Sequence, residues 1–406
     1  MRFLLILAAV VGLAAPALAQ TPTDTRALLA ANTRAFELTA EGIKGPGADF
    51  LLTQTERAQF LLMGENHHDR DTPRFAGALF NRLQRERGFR YLAVEQDPLA
   101  IDAVNGMKGD LGKIAALARR YPPHIGFASD DDLRLLAEVS KGSRPGDPVL
   151  WGLEQAQGAT RYLEELVGLA PPQTRSTAQE LYQEAKSKET RANQGAFLHD
   201  DPTTLARLQA LEAAYDPEPG SRADRLFTGL ITSAEIYSYN RRANAGERVG
   251  LYNNTEREAL FKRTFLENYR RAAKAGVPPK VMFKFGSWHM YRGRSPGGAY
   301  TIGNFAHEFA IAGGMEAYGV DVIPVGEGFP WLEDAPFLAP LFPDGPPATP
   351  VMVDLRPLKP WVRAFANQLV PARQSDLRDY IHAHDAIVVL PGGRKAAWDL
   401  TGFPVP

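Results

Sequence analysis

The sequence predicts an α/β fold: a mostly parallel, buried sheet with flanking helices and an inserted helical lobe. Three observations predict it. Short apolar runs recur along the chain, stretches with helical spacing separate them, and one long charged segment interrupts the alternation. Continuous apolar runs suit strands covered on both faces, as in parallel sheets. Strand and helix in alternation imply a doubly wound arrangement.

Taken in order, residues 1–19 read as a secretory signal peptide. Arg2 starts it, an apolar run follows from Phe3 to Ala15, and Ala17-Leu18-Ala19 offers small residues for a cut before Gln20. The run is too short to span a bilayer, although a retained N-terminal anchor is the rival reading. Export places the mature protein in the periplasm or outside the cell.

Residues 20–170 form the first part of the sheet. Its expected strands are Phe60–Met63, Tyr91–Val94 and Val149–Leu153, and its helices run from Asp71 to Arg87, Asp132 to Ser140 and Arg161 to Leu169. Gly88 is the stop signal for the first helix. Residues 171–276 are rich in Glu, Lys, Arg, Gln and Ala with no good strand, and read as the helical lobe, broken once at Pro217-Glu218-Pro219-Gly220. Residues 277–406 complete the sheet with Val281–Phe285, Ala386–Leu390 and a weaker Val320–Val325. The Pro-rich stretch from Phe329 to Pro360 reads as an irregular surface excursion.

The chain has no cysteine, which excludes disulfides, thiolate-bound metals and a lipid-modified cysteine at the cleavage site. Stability must come from the core, for which several hundred residues suffice. The 47 acidic and 46 basic residues nearly cancel, which argues against nucleic acid or an anionic membrane as partner. A small-molecule substrate remains the expected partner, with no stable membrane insertion.

Four expected strands end in a chemically active residue. Glu65-Asn66-His67-His68 follows the first, Glu95 the second, Glu154 the third, and Trp288-His289 comes shortly after the fourth. Ligands of open α/β sheets bind beyond the carboxyl ends of the strands, so these distant segments converge on one crevice. A glutamate directly after an apolar run is costly to bury without a partner, and histidine supplies one. Each residue also has a structural alternative: Glu95 as a helix cap, His289 as a satisfied core histidine, one of His67 and His68 as a surface residue. Of the histidines at 124, 199, 307, 382 and 384, only His307, beside Glu308, keeps a place near the site.

The segments Gly64–His68 and Gly88–Glu95, with Trp151–Glu154, Asn254–Glu258, Trp288-His289 and His384–Leu390, resemble the erythromycin esterase-like superfamily. The resemblance covers most of the chain and extends to ChaN-type haem-binding lipoproteins and to the Tiki/TraB-like group. It implies an α/β core with a helical lobe and a cleft lined by these groups. In the esterase branch it implies metal-free hydrolysis of a macrolactone ester by histidine-activated water, with Arg257 and an acidic neighbour on one helix. His68 holds the esterase position, three residues after Glu65, but Asp69 stands where that pattern has glycine. His67 fits the ChaN-like spacing.

The chemistry expected is hydrolysis of an ester or similar acyl bond. His67 or His68 would take a proton from water, Glu65 or Glu95 would orient it, and His289 or Arg257 would stabilise the oxyanion. Asn66, Glu154 and Trp288 are candidate substrate contacts. No cofactor is expected. One alternative is a divalent-metal hydrolase using Glu65, His67, His68, Glu95 and His289. Another is a haem or iron-compound binder. Gly293–Gly297 matches a serine-nucleophile pattern, but Pro296 lacks the N–H that the oxyanion would need.

Overall fold

The computed structural model describes residues 24–122, 125–126, 129–190, 193, 195–249, 252–273, 276–329, 335–400 and 402–404. The expected signal peptide and His124 lie outside the described residues. No described helix is long and apolar enough to cross a membrane.

Among the described residues there are ten strands: β1 Thr33–Ala35, β2 Glu37–Thr39, β3 Gly42–Lys44, β4 Ala58–Glu65, β5 Tyr91–Val94, β6 Leu150–Gly152, β7 Val281–Gly286, β8 Glu316–Val325, β9 Val351–Asp354 and β10 Ala386–Pro391. Eight make one sheet in the order β1-β9-β10-β8-β4-β7-β5-β6, and β2 and β3 form a separate hairpin. The central strands run parallel, while β9 lies antiparallel to β10 and to β1. This is the α/β architecture expected from the apolar runs.

Every residue of β4 and β7 is buried, because helices cover both faces. Helix α1, Thr25–Asn32, precedes β1. Over one face, β4 residues Leu61 and Met63 pack with helices α2 Pro46–Gln54, α3 Asp71–Arg87, α4 Pro98–Met107, α5 Leu111–Arg120 and α6 Asp130–Ser140. On the other, Phe60, Leu62 and Phe283 meet Phe261, Phe265 and Tyr269 of the helix Tyr252–Ala273, and Ala306 and Ala310 of the helix Ile302–Ala312. Burying each such aromatic or aliphatic side chain contributes about 1.5–3 kcal/mol.

Between β6 and β7 the described chain is helical, and Leu163, Leu181, Phe197, Leu208 and Phe227 form its own apolar cluster. The last helix of that segment, Tyr252–Ala273, lies on the sheet and so carries Arg257 and Glu258 to the strand ends.

The Pro-rich stretch from Phe329 to Pro360 departs from expectation. It supplies β9, which pairs with β10 and β1, and a short 3-10 helix, Pro336–Leu341, whose Leu338 and Leu341 are buried. The apolar Val351-Met352-Val353 is enough for a strand once its neighbour β10 is in place. The edge strand β1 gave no signal, because Thr33-Arg34-Ala35 is short and half polar.

Local caps fix the loops at the strand ends. The Asp69 carboxylate accepts from Thr72 N and Thr72 Oγ1, both at 2.7 Å, and so starts α3. Gly88 ends α3 in the left-handed conformation, φ 74°. Asp97 caps α4 by accepting from Leu99 N at 2.6 Å.

Candidate active site

The strands β4 and β7 are adjacent, with Glu65 opposite Gly286. Chain connections leave these two strands in opposite directions, towards β5 and towards β8. Such a reversal opens a crevice at the carboxyl edge of a parallel sheet. A cavity of about 630 Å³ lies there, and its lining includes Glu65, His67, His68, Trp288, His289 and Asp321.

His67 is at the centre. Its Nδ1 lies 3.3 Å from Glu65 Oε1 and its Nε2 3.5 Å from Glu95 Oε2. Burial works against the imidazolium, but Glu95 and Glu65 outweigh it and raise the His67 pKa. Burial likewise disfavours the Glu65 carboxylate, which Lys284 and His67 nevertheless hold below its usual range.

Lys284 stands inside the apolar run of β7. Its Nζ donates to Glu65 at 2.8 Å and to Asp132 of α6 at 2.7 Å. Burial opposes its charge, and the two carboxylates overcome that and push its pKa up. Neither Lys284 nor Asp132 was expected in the site. The available signal was a lysine between two phenylalanines of a strand buried on both faces, which demands a buried anion.

On the far side, Glu95 accepts from Gly286 N at 2.7 Å and from Arg257 Nη2 at 2.7 Å, and lies 3.3 Å from His289 Nε2. Burial opposes its charge, but His289, His67 and Arg257 hold its pKa well below normal. His289 Nδ1 meets Glu258 at 2.5 Å, and Glu258 also accepts from Ile302 N. Against the pull of burial, Glu95 and Glu258 raise the His289 pKa to about 9, so this ring is an imidazolium at neutral pH.

Arg257 and Glu154 sit behind this layer. The guanidinium donates from Nε to Glu154 at 2.9 Å and from Nη2 to the second Glu154 oxygen. The Glu154 side chain is fully buried, so its place is behind Arg257 and not against the cavity. Burial pushes its carboxyl up while Arg257 opposes. Arg257 itself stays charged, since Glu154 and Glu95 outweigh its burial.

The histidine doublet splits. His68 adopts φ 70°, lies on the exposed side of the turn, and has its ring 4.9 Å from that of Trp398. Burial and His67 lower its pKa, which leaves it neutral. Its carbonyl accepts from Ala396 N, and Arg70 N donates to Arg394 O, so a strand-like tail braces the turn. Asn66 and Trp288 are exposed at the cavity mouth. His307 is elsewhere: it lies against Arg292, in a separate pocket with Asp385, and burial followed by Arg292 lowers its pKa to about 3. Ser295 is not among the cavity residues and donates its backbone N–H to Ala299 O.

The donor set does not suit a metal ion. Lys284 and Arg257 already supply positive charge to Glu65 and Glu95. Among the described residues no three His, Asp or Glu side chains are disposed to hold a cation.

Fold and site together define an α/β protein with a histidine–carboxylate cavity at the topological switch of its sheet. Solved structures share this fold. One is a mutant of the erythromycin esterase EreC in its open conformation, with 14% identity, TM-score 0.56, and coverage of 90% of this chain and 98% of that one. A Bacillus cereus protein matches at 13% identity and TM-score 0.53, covering 92% and 99%. A succinoglycan biosynthesis protein matches at 13% identity and TM-score 0.54, covering 92% and 98%. At such identities the likeness is one of fold. No protein family matches the sequence, and no curated protein does.

Proposed function

We propose that this protein is a hydrolase that cleaves an ester or similar acyl bond with a water molecule activated by His67. The observation that carries this reading is the position of His67 on the cavity, bracketed by Glu65 and Glu95, with the imidazolium of His289 on the same wall. Glu65 holds the Nδ1 proton and Nε2 takes the proton from water, the base-and-orienter arrangement that is worth roughly 10²–10⁴-fold. The hydroxide equivalent adds to the acyl carbon, and His289 offsets the charge that develops on its oxygen. Collapse of that adduct breaks the acyl bond, and the proton on His67 passes to the leaving oxygen. Arg257 and Glu154 act as positioning residues: neither lines the cavity, Glu154 holds Arg257, and Arg257 in turn contacts Glu95 and His289 Nε2. That the EreC structure with this fold is an erythromycin esterase supports the reaction class. Export to the periplasm or beyond is part of the same proposal and rests on residues 1–19.

The test is a panel of chromogenic acyl esters with wild type, His67→Ala and His68→Ala, each with and without chelator. The expected result is a loss of roughly 10²-fold or more for His67→Ala. His68→Ala should stay within about tenfold of wild type, and chelator should change nothing. Equal rates in wild type and His67→Ala would overturn the assignment.

A further inference from the structure

The cavity carries a cation that the hydrolytic chemistry does not use. Lys395 lines it and is exposed to solvent. Among the described residues its side chain forms no ion pair and no hydrogen bond. Asp69, opposite it in a backbone bridge, turns its carboxylate to Thr72 instead. The charges at the catalytic end are already engaged: Glu65 accepts from Lys284, and His289 lies between Glu95 and Glu258.

Lys395 is nevertheless held in place. Ala396 N donates to His68 O at 2.8 Å, Arg70 N to Arg394 O at 2.9 Å, and Gly393 N to Val325 O at 2.9 Å. The backbone around it is thus tied both to the histidine turn and to the end of β8. Its stem crosses Gly328, where a methyl group would come within 2.9 Å of Cε, 3.1 Å of Cγ and 3.3 Å of Cδ. Restricting a lysine side chain costs up to about 2 kcal/mol of rotamer freedom. A ligand anion that meets a cation already positioned is spared part of that cost.

The sheet order sets where this charge lies. Lys395 is tied beside β8, on one side of β4, and His289 follows β7, on the other. Those two strands stand two inter-strand spacings apart, roughly 10 Å. The cavity wall on the β8 side is apolar, with Ile323 of β8, Phe329 just beyond it, and Phe337.

We propose that Lys395 anchors a carboxylate at the far end of an otherwise apolar acyl substrate. The ammonium group of Lys395 donates to that carboxylate, the apolar body lies along Ile323, Phe329 and Phe337, and the scissile acyl group reaches His67. The inference deepens the hydrolase reading by naming a substrate class, an acyl compound with a distal carboxylate, and in that respect rests on it.

The experiment reads binding and not turnover, so the two proposals fail separately. The probes are suberanilic acid, an anilide with a carboxylate six methylenes away, and the neutral suberanilamide. Both are titrated at low salt into wild type, Lys395→Gln, Lys395→Glu and the hydrolytically silenced His67→Ala by calorimetry, with urea midpoints as a check on folding. Wild type and His67→Ala should bind the acid roughly five- to tenfold more tightly than the amide, a margin that shrinks as salt is added. Lys395→Gln should erase that preference, and Lys395→Glu should reverse it. Absence of a preference in wild type, or one that survives in Lys395→Gln, overturns the anchor.

Discussion

His67 lies so close over Gly286 that a methyl group on that glycine would sit 2.7 Å from His67 Nε2. Gly286 has φ −51°, which any residue adopts, so backbone strain is not the reason for glycine here. The reason is the imidazole. Gly286→Ala should therefore abolish most turnover, by 10²-fold or more, because displacing a base by about 1 Å is that costly. Adding His67→Ala to Gly286→Ala should restore stability lost in the single variant. A urea midpoint that fails to recover in the double variant would show the crowding lies elsewhere.

The activity should peak on the alkaline side of neutrality. His67 must be neutral to act as base, and its pKa is raised above 6.5, so the acid limb of kcat/KM should sit above that value. His289 must be charged, and it loses its proton at about 9, which sets the alkaline limb. His289→Gln should remove the alkaline limb and lower the rate across the range. A profile flat from pH 6 to 10 would contradict both roles.

The same histidine makes stability depend on pH. Its folded pKa of about 9 exceeds the unfolded 6.5, so its contribution is complete below pH 6.5 and is lost as pH rises through about 9. Thermal midpoints of the wild type should fall across that interval. The fall should be smaller in His289→Gln.

Lys284 holds two buried carboxylates that would otherwise repel. Lys284→Met leaves Glu65 and Asp132 without their cation, and should cost about 3–5 kcal/mol in urea unfolding. Lys284→Met with Asp132→Leu should recover part of the loss, because one uncompensated charge goes too.

Arg257→Lys tests the positioning role. Lysine keeps the charge but cannot donate in a fork to Glu154 while also reaching Glu95. We expect kcat to drop roughly tenfold or more with KM nearly unchanged, since no substrate contact is lost.

The sequence made the central sheet legible because β4, β5, β7 and β10 are buried on both faces and so read as unbroken apolar runs. Glu65, His67, Glu95 and His289 were visible for the related reason that polar groups directly after such runs stand out. β9 was hidden by the prolines around Val351–Asp354, which suggest irregular chain. Lys284 and Asp132 were hidden because one charge in an apolar strand, and one acid at a helix start, each have local explanations. Their meeting depends on the packing that brings the start of α6 to Lys284 of β7, which no spacing in the sequence records.

β4 has its two hydrogen-bonding neighbours, β7 and β8, more than two hundred residues further along the chain. At a synthesis rate of about 5–20 residues per second, the strand that carries Glu65 waits on the order of ten to fifty seconds before either partner exists. Through that interval an apolar segment with two bare edges is exposed to any other unpaired strand. A chaperone that shields residues 58–65 during translation should therefore raise the yield of soluble protein more than one that acts on the finished chain.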